Sequence, residues 1–219
     1  MVGAVVLAGT WRQIPAGDNP FVPLRLDDPA GVATPLKLAR ALNNPALCRT
    51  LVEEASLSAS PVADRRVSDM CAFENAFAIE RSITPYSAPV QVSCPLAATL
   101  YLWERDVLQP LAEEHLGEPI ARIEHVGSYA CRNVRGGRSS NRPSQHATAN
   151  ALDVTGFRLA SGDVVSVKQD WDEDGPRGRF LDALHARSCR LFSGVLGPEY
   201  NAAHADHFHL DMGPYSLCR

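Results

Sequence analysis

The sequence predicts an α+β fold: a small antiparallel sheet with flanking helices packed to one side, preceded by an extended proline-rich arm. Three observations carry this expectation. Apolar residues recur at helical spacing from Leu96 to Leu111, short β-prone runs bounded by turn residues lie on both sides of that stretch, and prolines crowd residues 10–35. The 219 residues, 45% apolar and 21% charged, suffice for one ordinary domain with an arm, or for two small ones. They exclude wholesale disorder and collagen-like repeats. A formal net charge of -4 leaves no electrostatic footprint for nucleic acid. No stretch approaches the roughly 20 apolar residues that span a bilayer.

The apolar Met1–Gly9 (MVGAVVLAG) resembles the tail of a signal-peptide core or membrane anchor, although it lacks a basic region and a small-residue cleavage site. The expectation is an exported protein whose anchor lies upstream of this chain; a frayed N-terminus is the alternative. Pro15, Pro20, Pro23, Pro29 and Pro35 forbid regular helix and favour an extended arm. Residues 36–55 read as two short helices broken at Asn43-Asn44-Pro45, and residues 73–92 as two β-like runs, AFAIE and APVQVS, with a turn at Thr84-Pro85. Ser93 is the expected N-cap of the clearest helix, with Pro95 in its first turn. Leu96, Leu100, Trp103, Val107 and Leu111 form its core stripe, and Gly117 ends it. A strand at 120–128, an Arg- and Gly-rich loop at 132–144 and a strand at 150–157 follow. The turn Ser161-Gly162-Asp163 then leads into VVSV as a hairpin. A helix at 177–189, with Phe180, Leu181 and Leu184 inward, and a last strand at 206–211 complete the chain. The expected organisation is an anchor remnant and arm (1–35), a small helical/β subdomain (36–92) and a main domain (93–219).

Six cysteines, Cys48, Cys71, Cys94, Cys131, Cys189 and Cys218, are widely spaced. No close Cys pair suggests a structural zinc knuckle. The even count reads as up to three disulfides in an oxidising compartment, with 15 connectivities open; buried free thiols are the alternative.

The chemistry concentrates in histidines and aspartates. His207 and His209, spaced i, i+2 on a strand, share one face, with Phe208 on the other. Upstream, Ser144-Gln145-His146 precedes Asp153, a carboxylate inside the apolar run ALDV, where it is costly unless paired or bound to a metal. His146, Asp153 and one histidine of the pair make a His/Asp/His set with an open fourth position, the arrangement of a catalytic zinc with three protein ligands and a water.

The pattern S-x-H-(x)6-D followed by H-x-H resembles the metallopeptidase group that contains lysostaphin, the zinc D-Ala-D-Ala peptidases and the hedgehog signalling domain. Residues 93–211 are more closely similar to the bacterial extensin-like protein C-terminal family. The matching runs are LYLWERDVLQPLAEEHLG, RIEHVGSYACR, SQHATANALDVTGF and VLGPEYNAAHADHFHLD, and the arm DNPFVPLRLDDP resembles the segment after the membrane anchor in such proteins. The resemblance implies one Zn2+ ion held by His146, Asp153 and His209, with His207 assisting the attacking water or developing oxyanion. A glutamate base of the wider group aligns with Asp206, so either Asp206 or His207 is the expected base. The Gly-Tyr-Arg element of the group is similar to Gly127–Arg132, which makes Arg132 the candidate for a substrate carboxylate. Ser144 and Asp211 are expected to support the ligands. Ala149 stands where the group often has glycine. His115, His125 and His185 read as structural. The function implied is zinc-dependent cleavage of peptidoglycan stem peptides or cross-links in the periplasm or cell envelope. The rival is a zinc-containing wall-binding or structural module without turnover, and a third reading is a metal-free, disulfide-stapled protein.

Overall fold

The computed structural model describes residues 14–134 and 142–219. The apolar stretch Met1–Gly9 and the middle of the Arg-rich loop lie outside the described residues. Two compact units are present, one ending at Ser56 and the other running from Leu57 to Arg219.

In the first unit the described part of the arm has no regular element before Thr34, as its prolines require. Side chains bonded to the backbone hold it. Asp18 Oδ1 accepts from the Val32 N–H (2.8 Å), and Lys37 Nζ donates to the Ala16 carbonyl (2.7 Å). A Cβ on Gly17 would lie 2.4 Å from the Pro29 carbonyl oxygen, so the close approach there requires glycine. Helices α1 (Thr34–Leu42) and α2 (Pro45–Glu53) follow, broken where the sequence predicts. The Asn44 side chain caps α2 by accepting from the Ala46 and Leu47 N–H groups, both at 3.1 Å.

The second unit is built on a nine-stranded sheet. β1 (Ser58–Val62), β4 (Ala76–Arg81), β5 (Pro85–Ser93), β6 (Ile120–Gly127), β7 (Ala151–Leu159), β10 (Phe208–Asp211), β9 (Gly194–Leu196) and β11 (Leu217–Cys218) lie side by side in that order. β8 (Val164–Ser166) pairs with β7 off this path, and β2 (Arg65–Ser68) and β3 (Cys71–Phe73) form a separate ribbon. The expected small antiparallel sheet is therefore corrected to a large mixed one. β5 and β6 pair in parallel through Tyr86 and Ile123, and β9 and β11 are also parallel. A parallel pair needs a crossover connection, and the long helix between β5 and β6 supplies it. The strands absent from the sequence expectation, β1, β2, β3, β9 and β11, are polar, short or both, so they carry no readable alternation.

That crossover begins as α3 (Cys94–Trp103), where Ser93 Oγ accepts from the Leu96 N–H (3.4 Å). It widens into a π-helical turn at Glu104–Leu108, continues as α4 (Gln109–Leu116) and ends at Gly117 with φ +75°. Pro110 accounts for the widened turn: it has no N–H to give the Asp106 carbonyl, and its ring would strike that oxygen in a regular helix. The stripe from Leu96 to Leu111 is buried as expected, and so are Phe180, Leu181 and Leu184. Those three lie on α6 (Pro176–Ser188), which follows the short α5 (Val167–Asp170). Phe157 of β7 lies 5.5 Å from Phe180 and 6.3 Å from Trp103, and Trp103 Nε1 donates to Ser188 Oγ (2.8 Å). Helices α3 and α6 thus pack on one face of β7.

The candidate ligands occupy the other face. The β6–β7 register shifts on both sides of His125. A bulge inserts an unpaired residue and re-aims its neighbours. Leu152, Val154, Phe157 and Leu159 are accordingly all buried in the core, while Asp153 turns away from it. Disulfides Cys71–Cys131 and Cys189–Cys218 tie β3 to the segment after β6 and the end of α6 to β11. No cysteine is free, which rules out the free-thiol alternative. No helix among the described residues is long and apolar enough to cross a membrane.

Candidate metal centre

Three elements bring the ligands together. Ser144 opens a single 3-10 turn, Gln145–Thr148, with its Oγ accepting from the His146 N–H (3.3 Å). Asp153 stands on β7 directly opposite His209 of β10, and residues facing each other across antiparallel strands share a face. His146 Nε2 lies 3.1 Å from Asp153 Oδ1 and 3.1 Å from His209 Nδ1, and His209 Nδ1 lies 2.9 Å from Asp153 Oδ1. Both histidines are buried, and the Asp153 side chain is 14% exposed.

The far side of each ring fixes its chemistry. His146 Nδ1 lies 3.1 Å from the Ser128 carbonyl oxygen, and His209 Nε2 lies 3.0 Å from Asp211 Oδ2. Both partners only accept, so both of these nitrogens carry hydrogen. In the neutral rings, His146 Nε2 and His209 Nδ1 then present lone pairs to each other and to the Asp153 carboxylate. Three acceptors this close need a cation among them, a proton or a metal. Burial works against a charged His209 ring, but the Asp153 and Asp211 carboxylates raise it to about 9. Burial likewise opposes the Asp153 charge, yet His146 and His209 hold its carboxyl well below the usual range. Without metal, a proton occupies the place of the cation. Donors 2.0–2.2 Å from a tetrahedral zinc lie roughly 3.3–3.5 Å apart, so the triangle fits after opening by a few tenths of an ångström.

Asp211 is almost wholly buried and fully engaged. Besides His209 it accepts from Tyr215 Oη (2.8 Å, Oδ2) and the Gly213 N–H (2.7 Å, Oδ1). His207 Nε2 faces the triangle, 3.5 Å from Asp153 Oδ1, and its Nδ1 lies 2.8 Å from Asp206 Oδ1. Asp206 is therefore joined to His207 from behind, and His207 lowers its proton affinity. His204 packs against Tyr200, His207 and His209, with ring centroids 5.3, 5.2 and 5.9 Å away. Burial, then His207 and His209, lower its pKa to about 4, and the Arg132 charge adds to this effect. Arg132 is half-buried, with Nη1 3.3 Å from the Asn133 carbonyl.

The profile described as Extensin-like protein C-terminus matches residues 46–219. The chain belongs to this family. No curated protein and no solved structure matches it. In this extensin-like chain all three sequence-predicted ligands converge, with Ser144 and Asp211 behind them. Of the histidines read as structural, His125 Nε2 meets the Ala88 carbonyl (3.0 Å) and His185 Nε2 the Arg219 carbonyl (3.1 Å). Ala149 has φ +53°, a left-handed backbone conformation that favours glycine, and its methyl is buried with Phe73 and Ala76. Sequence reasoning missed the Ser128 carbonyl, Gly213 and Tyr215. A backbone carbonyl leaves no mark in a sequence, and a tyrosine four residues past the strand shares no periodicity with it.

Proposed function

We propose that this extensin-like protein is a zinc-dependent peptidase that hydrolyses amide bonds in the stem peptides or cross-links of peptidoglycan, in the periplasm or cell envelope. The observation that carries the reading is the convergence of His146 Nε2, Asp153 Oδ1 and His209 Nδ1, each ring fixed from behind, with His207 Nε2 aimed at the same point. The similarity of the S-x-H-(x)6-D and H-x-H motifs to those of the lysostaphin and D-Ala-D-Ala peptidase group supports it. The disulfides favour an oxidising compartment.

His146, Asp153 and His209 would hold the ion, which when bound supplies Lewis acidity and lowers a water's pKa to about 7. His207 Nε2 takes the proton from the attacking water and returns it to the leaving amine nitrogen. Asp206 Oδ1 holds the Nδ1–H of His207, which keeps the lone pair on Nε2 and steadies the charged ring. Arg132 is the candidate for holding a substrate carboxylate. The test is digestion of defined muropeptides by zinc-loaded protein, read by mass spectrometry, with chelator and with His209→Ala. New amine and carboxylate ends are expected from the loaded parent alone. Cleavage that survives both treatments defeats the zinc mechanism, and zinc-loaded protein that binds the wall without cutting it transfers the site to the binding-module reading.

A further inference from the structure

A second cluster lies behind β10. His185 on α6 and Cys189, the residue that caps its C-terminal end in helical conformation, are one turn apart, an i, i+4 spacing that places both on one face, and Cys218 reaches them from β11. One ring nitrogen of His185 and the two sulfurs all lie within 4.8 Å of one another. We propose that these three residues form a redox-gated metal site: a disulfide beside an imidazole when oxidised, and an N,S,S ligand set for zinc when reduced.

The ring is already fixed. His185 Nε2 meets the Arg219 carbonyl at 3.1 Å, and Trp171 and Phe208 pack against it with centroids 5.8 and 5.7 Å away. Little side-chain freedom is left to lose on binding. The sulfurs of a tetrahedral zinc dithiolate lie roughly 3.8 Å apart, so the opened pair must separate. Cys218 can make that movement by turning its side chain, because the residue is exposed while its backbone stays paired with β9. Two equivalents of a thiol reductant supply two electrons and two protons. They attack through a mixed disulfide, leave as their own disulfide and free both protein thiols. Zinc then displaces the two thiol protons and takes His185 as third ligand, with water in the fourth position. Phe208, between His207 and His209 in sequence, separates this cluster from the metal centre on the opposite face of β10.

The experiment titrates zinc into full-length protein against a chromophoric chelator, once oxidised and once reduced anaerobically with a phosphine, with near-ultraviolet circular dichroism recorded on the same samples. Reduction is expected to add one tight equivalent while the native spectrum persists. His185→Ala should weaken that added equivalent at least tenfold and Cys218→Ser abolish it. Asp153→Asn should leave it untouched, so failure of the main centre is read separately. The proposal falls if reduction adds no zinc binding, if the added equivalent survives Cys218→Ser because other thiols hold it, or if the gain comes only with loss of the folded spectrum.

Discussion

Glu104→Gln tests how the buried carboxyl at the π-helical turn works. Glu104 is fully buried, with Oε1 accepting from Tyr86 Oη (2.5 Å) and Oε2 from the Thr84 N–H (2.8 Å), so it bolts the crossover helix to the start of β5. Burial raises its pKa from 4.5 to about 7, against the lowering effect of the Tyr86 and Thr84 hydrogen bonds. Tyr86, the ionisable group facing it, is itself pushed up by burial and by Glu104. The folded chain therefore holds the proton more tightly than the unfolded chain. The stability from the protonated acid is fully present below pH 4.5 and is lost as pH rises through about 7. At about 1.36 kcal/mol per pH unit, that interval corresponds to about 3 kcal/mol. Glutamine reproduces the protonated acid: its carbonyl accepts from Thr84 and its amide donates to the Tyr86 oxygen. Urea unfolding of parent and variant should give similar stabilities near pH 4.5 and a variant more stable by about 3 kcal/mol at pH 8. Every other titrating group is common to both proteins, so the difference isolates position 104. A difference that stays constant between those pH values would refute the reasoning.

Further outcomes are expected from other variants. His207→Ala should lower turnover in the proposed peptidase assay by roughly 10²–10⁴-fold while bound zinc, measured by metal analysis, is retained; Asp206→Asn should lower it less, because the imidazole remains. Asp211→Asn should weaken zinc affinity by about 10–100-fold in chelator competition, since His209 loses its anionic partner. Ala149→Gly should shift unfolding free energy by no more than about 1 kcal/mol, because relief of the left-handed strain is offset by the lost methyl contact and the freer unfolded chain. Replacing Cys71 and Cys131 by serine should cost about 4 kcal/mol in thermal or denaturant unfolding, from the 60-residue loop their bond closes.

The candidate site was more legible in the sequence than the sheet around it. His209 advertises itself because period-two alternation sets it opposite the buried Phe208 and Leu210, and Asp153 because it is a carboxylate inside the apolar run ALDV. The long helix was readable because Ser93, Pro95 and Gly117 mark its ends. The π-helical turn was not, because it is the response to one proline that helix starts also tolerate. β1 reads SASPV and lies at the sheet edge with no buried residue, so burial imposed no pattern on it. The bulges flanking His125 were equally hidden, although without them Asp153 would share the core face with Phe157. Whether Asp206 or His207 faces the ligands was open in the sequence, because adjacent residues at a strand entrance have no fixed orientation; the hydrogen bond between them sets Asp206 behind His207.

The chain on either side of residues 135–141 is latched before it reaches the candidate metal centre. The Ser144 N–H donates to the Arg132 carbonyl (3.1 Å), the Val134 N–H donates to the Arg142 carbonyl (2.9 Å), and Asn133 and Pro143 bridge between them. These contacts hold Arg142–Ser144 against Arg132–Val134 immediately before the turn that carries His146. The Ser144 end of this latch is where the 3-10 turn carrying His146 begins, so the same backbone bonds that close the bridge also set the entry point of the first ligand.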